Sequence, residues 1–388
     1  MGMTATEDRY ELGDLVTSRM TISILIFGVV LAIINTSAVT SQSMSSYGFL
    51  LIVSLCLLLI SADYFVDGAK AMARKMGLSE LIIGLTVVSI GTSLPEILVT
   101  GQSALAASIS PEDREFLALA VGNIFGSVLI QITLILGIVI IVKPLDLEPG
   151  WLQRDGFMMA FALVLLTLLI WFDSELSRIE GGMLAAGYVA YITYLISVSR
   201  GQKEKPREKE EDDSKAESGD DMEIEQEWEG MSILVCMVLG LGAAVLASDR
   251  MVLSASFIAQ NFGVSEAVIG TTIAAAGTSL PELAVGMAAA YRSSGVAIGT
   301  LLGSNITDPM FSIGMAAVIY PITFSAETVG AENFIDIKRW IIPGALVATF
   351  MALLFMWSSS KFKRYEGYIL VSTYMLFLIG LLTRVYAF

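Results

Sequence analysis

Apolar stretches long enough to cross a bilayer recur along almost the whole chain, and they restrict the fold more than any other feature. A helix needs about 20 residues to span the hydrocarbon core. Charged residues make up 16% of this sequence, against about 25% in soluble domains. We therefore predict an all-α polytopic membrane protein with about eleven spans. The clearest cores of these spans are Thr21–Ile34, Tyr47–Leu59, Phe116–Val142, Phe157–Phe172, Met231–Ala247, Trp340–Trp357 and Tyr368–Leu382.

The side chains that are missing exclude several classes of site. The chain contains no histidine, which removes the usual ligand of zinc and copper and the usual proton carrier near neutral pH. Its two cysteines, Cys56 and Cys236, lie inside apolar stretches and are interpreted as core residues. The hydrolase motifs HExxH, GxGD and GxSxG do not occur in the spans. We therefore expect no enzyme activity, no cofactor and no nucleic-acid partner.

Much of the net charge of −15 comes from one polar segment. Arg200–Trp228 holds twelve acidic against six basic residues. A segment of this composition buries too little apolar surface to offset the entropy lost on ordering. We interpret residues 200–230 as a solvated acidic linker, with a regulatory cation-sensing role as the alternative.

The sequence matches itself when it is shifted by 186 residues. The segment LSELIIGLTVVSIGTSLPEILVTGQSALA from Leu78 lies over VSEAVIGTTIAAAGTSLPELAVGMAAA from Val264. Farther along, GNIFGS from Gly122 matches GTLLGS from Gly299 at an offset of 177. A repeat of this size indicates two duplicated structural halves. We assign residues 47–199 and 231–388 to these halves, with five spans each, and residues 1–46 to a tail and an extra transmembrane helix.

An odd number of spans in each half means that the halves enter the bilayer in opposite orientations. The predicted fold is therefore an inverted repeat with a pseudo-two-fold axis in the membrane plane. If the acidic linker is cytoplasmic, seventeen of the 23 Lys and Arg residues fall on the cytoplasmic side, as the positive-inside rule requires. We expect a multi-pass protein of the cell membrane with a cytoplasmic N-terminus and linker and an external C-terminus.

Each half carries the motif GTSLPE inside an apolar span, and its proline predicts a break in the helix. A proline removes the hydrogen bond to the carbonyl four residues before it. Pro95 therefore frees the carbonyl of Gly91, and Pro281 frees that of Gly277. An unpaired carbonyl in hydrocarbon costs several kcal/mol unless something satisfies it. Broken helices at matching positions of two inverted halves are typical of the central site of a transporter.

Four pairs of polar side chains accompany these breaks, each at a spacing of four residues that places both members on one helix face. All of them offer oxygen, which suits calcium, sodium or magnesium better than softer metals. For any single hydroxyl, a bond to its own helix or a neighbouring one is the alternative interpretation. The pairs are Thr92 with Glu96, Thr278 with Glu282, Ser127 with Gln131, and Ser304 with Asp308.

The doubled GTSLPE, each copy followed by a span with G(N/T)xxGS, resembles the α-repeats of the cation/calcium exchanger superfamily, especially the prokaryotic sodium/calcium exchangers. The resemblance covers about residues 47–388. It implies a ten-helix inverted-repeat core that exchanges sodium for calcium by alternating access at a midplane site. It also implies that the ions are bound by the glutamates Glu96 and Glu282, by hydroxyls and backbone at Thr92, Ser93, Thr278 and Ser279, by sodium ligands at Ser127 and Ser304, and by carbonyls near Ser89 and Ala275.

The gate implied by this resemblance is the first and sixth core helices, roughly Tyr47–Arg74 and Met231–Ala259. These helices contain glycine and alanine and are relatively free of predicted ligands. We expect them to slide past a fixed site when its ions are bound.

Some positions depart from the family pattern and bear on the alternatives. Gln131 stands where prokaryotic exchangers usually carry asparagine and potassium-dependent ones an acid, which argues against potassium co-transport. Asp308 is its mate in the second half and supplies a third carboxylate. Proton/calcium exchange is the first alternative, but those proteins typically carry an extra glutamate that GNIFGSVLIQ lacks. A passive cation channel is the second, and it would conduct without a sodium gradient.

Overall fold

Helices make up almost all of the structure, a computed structural model that describes residues 9–10, 18–109, 116–147, 150–173, 175–203, 227–228, 230–261, 275–329, 334–335 and 337–385. The first part of the chain follows the predicted apolar stretches. Its elements are β1 (Arg9–Tyr10), α1 (Arg19–Ser41), α2 (Met44–Met76), α3 (Glu80–Ile83), a π-helical turn (Gly84–Val88), α4 (Ser89–Thr92), α5 (Leu94–Ile109), α6 (Phe116–Ile130), a π-helical turn (Gln131–Ile135), α7 (Leu136–Val142), a π-helical turn (Leu152–Gly156), α8 (Phe157–Asp173), β2 (Glu175–Leu176) and α9 (Arg178–Lys203).

The second part of the chain is also mainly helical. Residues 204–226, which include most of the predicted linker, lie outside the described residues. So do residues 262–274, which match residues 76–88 of the first half. The elements are β3 (Glu227–Trp228), α10 (Gly230–Asn261), α11 (Ala275–Thr278), α12 (Leu280–Ala290), α13 (Ser294–Thr307), a π-helical turn (Asp308–Ser312), α14 (Ile313–Ile319), β4 (Ile322–Thr323), α15 (Ala326–Val329), a π-helical turn (Ile337–Ile341), α16 (Ile342–Ser358) and α17 (Arg364–Val385).

Seven described helices are long and apolar enough to cross a membrane, and a pair bent by 44° at Ser93 makes an eighth. The described residues do not confirm the predicted number of eleven. One reason is that the run from α13 to α14 carries ion-ligand candidates such as Ser304 and Asp308, which lower its mean hydropathy. The seven are Arg19–Ala38, Met44–Met76, Ala120–Val142, Leu152–Phe172, Arg178–Val198, Gly230–Ala247 and Ile337–Ser358.

The two longest helices, α2 and α10, pack against each other, and small residues let them approach closely. A Cβ added to Gly240 would lie 2.9 Å from the backbone nitrogen of Phe65. The extra helix predicted before the first half is present as α1, and it packs on α2. Thr21 of α1 lies 2.6 Å from the hydroxyl of Tyr64 in α2, hydroxyl to hydroxyl, inside the protein. These three helices therefore form one packed group.

The last helix of each half packs on the other half, and the contact is made twice. A Cβ on Gly181 of α9 would lie 2.6 Å from the carbonyl oxygen of Gly314 in α14. A Cβ on Gly367 of α17 would likewise lie 2.7 Å from the carbonyl oxygen of Gly137 in α7. Since Gly137 and Gly314 are 177 residues apart and Gly181 and Gly367 are 186 apart, the two crossings join matching positions of the repeat.

Short backbone pairings between the halves are duplicated in the same way. Strand β2 pairs antiparallel with β4, with Glu175 opposite Thr323. An isolated bridge joins Asp146 to Lys361, and these two residues are the repeat mates of Thr323 and Glu175. Near the N-terminus, β1 pairs in parallel with β3, so the chain before α1 meets the chain before α10.

Candidate functional site

Both predicted helix breaks occur at the GTSLPE motif. Helix α4 ends at Thr92 and α5 begins at Leu94, with Ser93 between them and a bend of 44°. Helix α11 ends at Thr278 and α12 begins at Leu280, with Ser279 between them at φ −91° and ψ 8°. The proline that follows each break explains it, because its nitrogen cannot donate to the preceding turn. Each glutamate then stands in the first turn of the new helix segment.

The two glutamates are fully buried and only partly hydrogen bonded. Oε1 of Glu96 accepts from the hydroxyl of Ser127 at 3.4 Å and from that of Ser279 at 3.2 Å. Oε1 of Glu282 accepts from the hydroxyl of Ser304 at 3.4 Å. In the part of the chain that the structure describes, Oε2 of each glutamate has no hydrogen-bond partner. Each carboxylate therefore presents one free oxygen within the protein interior.

Contacts across the halves bring the four predicted pairs into one site. Ser279 of the second half donates to Glu96 of the first. The hydroxyl of Thr92 lies 3.4 Å from that of Ser304, and Thr278 donates to Oδ1 of Asn123 at 3.4 Å. Glu282 joins the same set through Ser304, whose hydroxyl donates to it. The duplicated motifs thus lie together in the protein interior.

Gln131, which departs from the family pattern, is hydrogen bonded to its repeat mate Asp308. Nε2 of Gln131 donates to Oδ2 of Asp308 at 3.3 Å and lies 3.5 Å from the hydroxyl of Ser279. Each of the two residues begins a π-helical turn, a distortion that frequently marks functional sites. Pro309 explains the second turn because it lacks an N–H, whereas the first turn contains no proline. The hydroxyl of Ser312 adds a donor to Oδ1 of Asp308 at 3.3 Å.

Ser93, Ser89 and Ala275 complete the set of predicted ligands. Ser93 is buried, and among the described residues its hydroxyl has no hydrogen-bond partner. The carbonyl of Ser89 already accepts the N–H of Ser93 at 2.9 Å and the hydroxyl of Thr92 at 3.3 Å. A carbonyl has two lone pairs, so the Thr92 hydroxyl would have to turn away before that oxygen could bind an ion. Ala275 begins α11, and the residues directly before it are not among the described ones.

Three polar residues of the segments that carry the site were not among the predicted ligands. Ser312 lies four residues after Asp308, and the spacing used for the other pairs could have found it. Asn123 contacts Thr278, and Asn305 is buried with a free Oδ1 in the described part of the chain. Neither asparagine has an amide at its repeat mate, which is Thr300 for Asn123 and Val128 for Asn305, so the repeat gives no signal for them.

The donor set fits hard cations. The free buried oxygens belong to carboxylates, an amide and a hydroxyl, which are the groups that calcium and sodium prefer. Within the described residues, no three acidic, histidine or cysteine side chains converge closely enough to hold a metal by themselves. An ion at this site therefore depends on hydroxyl, amide and carbonyl oxygens in addition to the carboxylates. The free oxygens are Glu96 Oε2, Glu282 Oε2, Gln131 Oε1 and Ser93 Oγ.

Two proline-broken helices around buried carboxylates, in a helical membrane protein, are typical of the class of secondary transporters, and comparisons with known proteins agree. The chain belongs to the sodium/calcium exchanger family, whose model, described as sodium/calcium exchanger protein, matches residues 46–197 and 232–383. The resemblance predicted from the GTSLPE repeats is thereby confirmed. The two matched segments also correspond closely to the predicted halves.

Individual relatives cover most of the chain. The sodium/calcium exchanger MaX1 of Methanosarcina acetivorans is 31% identical, over 86% of this chain and 97% of that protein. The putative antiporter CaxA of Alkalimonas amylolytica is 31% identical, over 84% and 95%. A solved structure of the sodium-calcium exchanger NCX_Mj, soaked with Na⁺ and Ca²⁺, superimposes with a TM-score of 0.64 and 25% identity over 86% of this chain and 96% of that one. These relatives are transporters, as expected for a chain without a catalytic motif.

Proposed function

We propose that this protein exchanges sodium for calcium across the membrane by alternating access at a midplane site built on Glu96 and Glu282. One observation carries the proposal: two fully buried glutamates, one from each half, each keep a carboxylate oxygen without a hydrogen-bond partner in the described structure. A buried carboxylate left without a compensating charge is costly. Family membership and the exchanger relatives identify the ions that would supply this charge.

Charge neutrality explains how the two ions would be coupled. One calcium ion carries the two positive charges that Glu96 and Glu282 require. Several sodium ions could neutralise the same pair and also Asp308, which is linked to Glu96 by hydrogen bonds through Gln131 and Ser279. The two ion types therefore compete for the same oxygens. Ligands for either would come from Thr92, Ser93, Thr278, Ser279, Ser127, Ser304 and Gln131, with carbonyls near Ser89 and Ala275.

The same proposal includes an inverted repeat of two five-helix halves, eleven spans in all, with the N-terminus and linker in the cytoplasm and the C-terminus outside. The duplicated glycine crossings and backbone bridges support the repeat. Contacts also join segments that the positive-inside rule assigns to one side. Lys70 donates to the carbonyl of Arg292 and Lys143 to that of Tyr291, and the tail before α1 pairs with the end of the linker.

Helices α2 and α10 would form the gate. They pack on each other through Gly68 and Gly240, and no predicted ligand lies on either of them. Helices with small residues at their interface can slide with little steric cost. Movement of this pair would open the site to one side of the membrane at a time while the broken helices stay in place.

The test is calcium uptake into vesicles that contain the purified protein and are loaded with sodium. An outward sodium gradient should drive uptake, and both Glu96→Gln and Glu282→Gln should abolish it. Glu180→Gln is the matched control, because Glu180 is an acidic residue that binds the N–H of Ser177 at the start of α9 instead of the site. Undiminished uptake by both glutamine variants would disprove the assignment of the site.

The two alternatives predict different driving forces. A proton/calcium exchanger would take up calcium in sodium-free vesicles when only a pH gradient is imposed. A passive channel would admit calcium with neither gradient. We expect neither behaviour in the wild-type protein.

A further inference from the structure

A buried tyrosine of the first half contacts the segment that carries Asp308 in the second half. Tyr188 of α9 is 3% exposed, and its hydroxyl lies 2.9 Å from the hydroxyl of Thr307, the residue before Asp308. Thr307 donates its own proton to the carbonyl of Gly303 at 2.9 Å. Because a threonine hydroxyl has one proton to give, Tyr188 must be the donor in the bond between the two side chains.

The ring of this tyrosine and its neighbour also pack on the π-helical turn Asp308–Ser312. The rings of Tyr188 and Phe311 have their centroids 5.5 Å apart. A Cβ added to Gly187 would lie 3.2 Å from the terminal methyl of Met310. The turn that begins at Asp308 is therefore contacted by α9 on both sides of its first residue. This contact is independent of the hydrogen bonds made by the Asp308 carboxylate itself.

The repeat provides a comparison within the same molecule. The mate of Tyr188 is Tyr374 of α17, which is buried and lies on a helix that packs against the turn beginning at Gln131. The mate of Thr307 is Ile130, which offers no hydroxyl. Among the described residues, Tyr374 forms no side-chain hydrogen bond to that turn. Of the two π-helical turns that begin at Gln131 and Asp308, the tyrosine–threonine bond therefore accompanies the one that begins with a carboxylate.

We infer that Tyr188 is a positioning residue for Asp308 and selectively sets the affinity of the exchanger for sodium. Residues that orient a metal ligand from outside commonly change metal affinity by about 10-fold to 100-fold. The N–H of Asp308 still bonds the carbonyl of Ser304, but the turn that follows departs from the α-helical pattern. Contacts from outside the turn therefore help to fix the orientation of Asp308. The hydroxyl of Tyr188 supplies such a contact through Thr307.

The selectivity for sodium rests on the proposed function. One calcium ion balances the charges of Glu96 and Glu282, so calcium binding does not require a cation at Asp308. Binding of several sodium ions brings a further positive charge into the site. Asp308 is the remaining carboxylate of the proposed site that can balance this charge. A change in the orientation of the Asp308 side chain should therefore weaken sodium binding and leave calcium binding nearly unchanged.

The test compares Tyr188→Phe with its repeat mate Tyr374→Phe. Sodium and calcium affinities are measured separately on the purified protein, from the rise in thermal unfolding temperature as each ion is added. Tyr188→Phe should weaken sodium binding by about tenfold and change calcium binding by less than about twofold. Tyr374→Phe should resemble the wild type, because it removes no hydrogen bond to the turn.

Variants of Thr307 complete the test. Thr307→Val should weaken sodium binding as Tyr188→Phe does, the double variant should be no worse than either single one, and Thr307→Ser should retain wild-type affinity. The inference is overturned if Tyr188→Phe leaves sodium affinity intact or weakens the binding of both ions equally. It is also overturned if the losses of sodium affinity in Tyr188→Phe and Thr307→Val add in the double variant. Failure of the proposed function would appear instead in the wild-type protein, as calcium uptake that ignores the sodium gradient.

Discussion

Two adjacent glycines in α9 provide a test of how closely the two halves must approach. A Cβ on Gly181 would lie 2.6 Å from the carbonyl oxygen of Gly314 and 2.6 Å from the Cβ of Ala317. A Cβ on Gly182 would meet a single side-chain atom of Val318 at 3.9 Å, an ordinary van der Waals contact. The substitutions Gly181→Ala and Gly182→Ala are thus chemically identical and differ only in what the new methyl group meets.

The expected magnitudes follow from these distances. Carbon atoms in contact prefer about 3.5–4.0 Å, so Gly181→Ala forces α9 and α14 apart by roughly 1 Å. Overpacking of this kind costs about 1–3 kcal/mol, whereas replacing a glycine within a helix by alanine stabilises it by about 0.5–1 kcal/mol. Gly181→Ala should therefore lower the free energy of unfolding by about 0.5–2 kcal/mol. Gly182→Ala should raise it by about 0.5–1 kcal/mol.

The assay is thermal unfolding of the purified protein in detergent, followed by sodium-driven calcium uptake in vesicles. Gly181→Ala should unfold at a lower temperature than the wild type and transport more slowly, because the displaced helix carries Tyr188 away from the Asp308 turn. Gly182→Ala should unfold at or above the wild-type temperature and transport normally. Equal behaviour of the two variants would refute the close crossing of α9 and α14.

Two further predictions concern polar contacts at and near the site. Gln131→Leu leaves Oδ2 of Asp308 without its 3.3 Å donor, a loss that costs about 1–3 kcal/mol when buried, so sodium-driven uptake should fall by about tenfold or more, and an unchanged sodium dependence of uptake would contradict this contact. Arg292→Gln removes the ion pairs that tie the turn between α12 and α13 to Asp63 and Asp67 of α2. Since these side chains are partly exposed, the free energy of unfolding should fall by less than about 1 kcal/mol and by less still at high salt. Arg250→Gln, whose partner is the adjacent Asp249, should have no such effect.

The elements that the sequence predicts well depend on local chemistry or on the repeat. Pro95 and Pro281 break their helices because a missing N–H acts within one turn, whatever the rest of the fold. The bonds from Ser127 to Glu96 and from Ser304 to Glu282 occupy matching positions, so the duplication made each of them predictable from the other.

Features that depend on contacts between distant segments were not predictable. The approach of Gly181 to Gly314 and the bond from Tyr188 to Thr307 join residues more than a hundred positions apart, and neither position carries a local signal. The π-helical turn at Gln131 contains no proline from which it could have been predicted. Apolarity alone also fails to identify every candidate span, because polar residues of Ser294–Thr307, among them the predicted ligand Ser304, lower the mean hydropathy of that helix.

The most direct test of the central claim is the position of a bound cation in crystals of this protein. Crystals soaked in calcium or strontium, with sodium removed, should show an anomalous scattering peak between the glutamates. The peak should lie about 2.3–2.6 Å from oxygens of both Glu96 and Glu282, and addition of sodium should reduce it. A cation that is bound elsewhere, or that contacts only one of the two glutamates, would contradict the account.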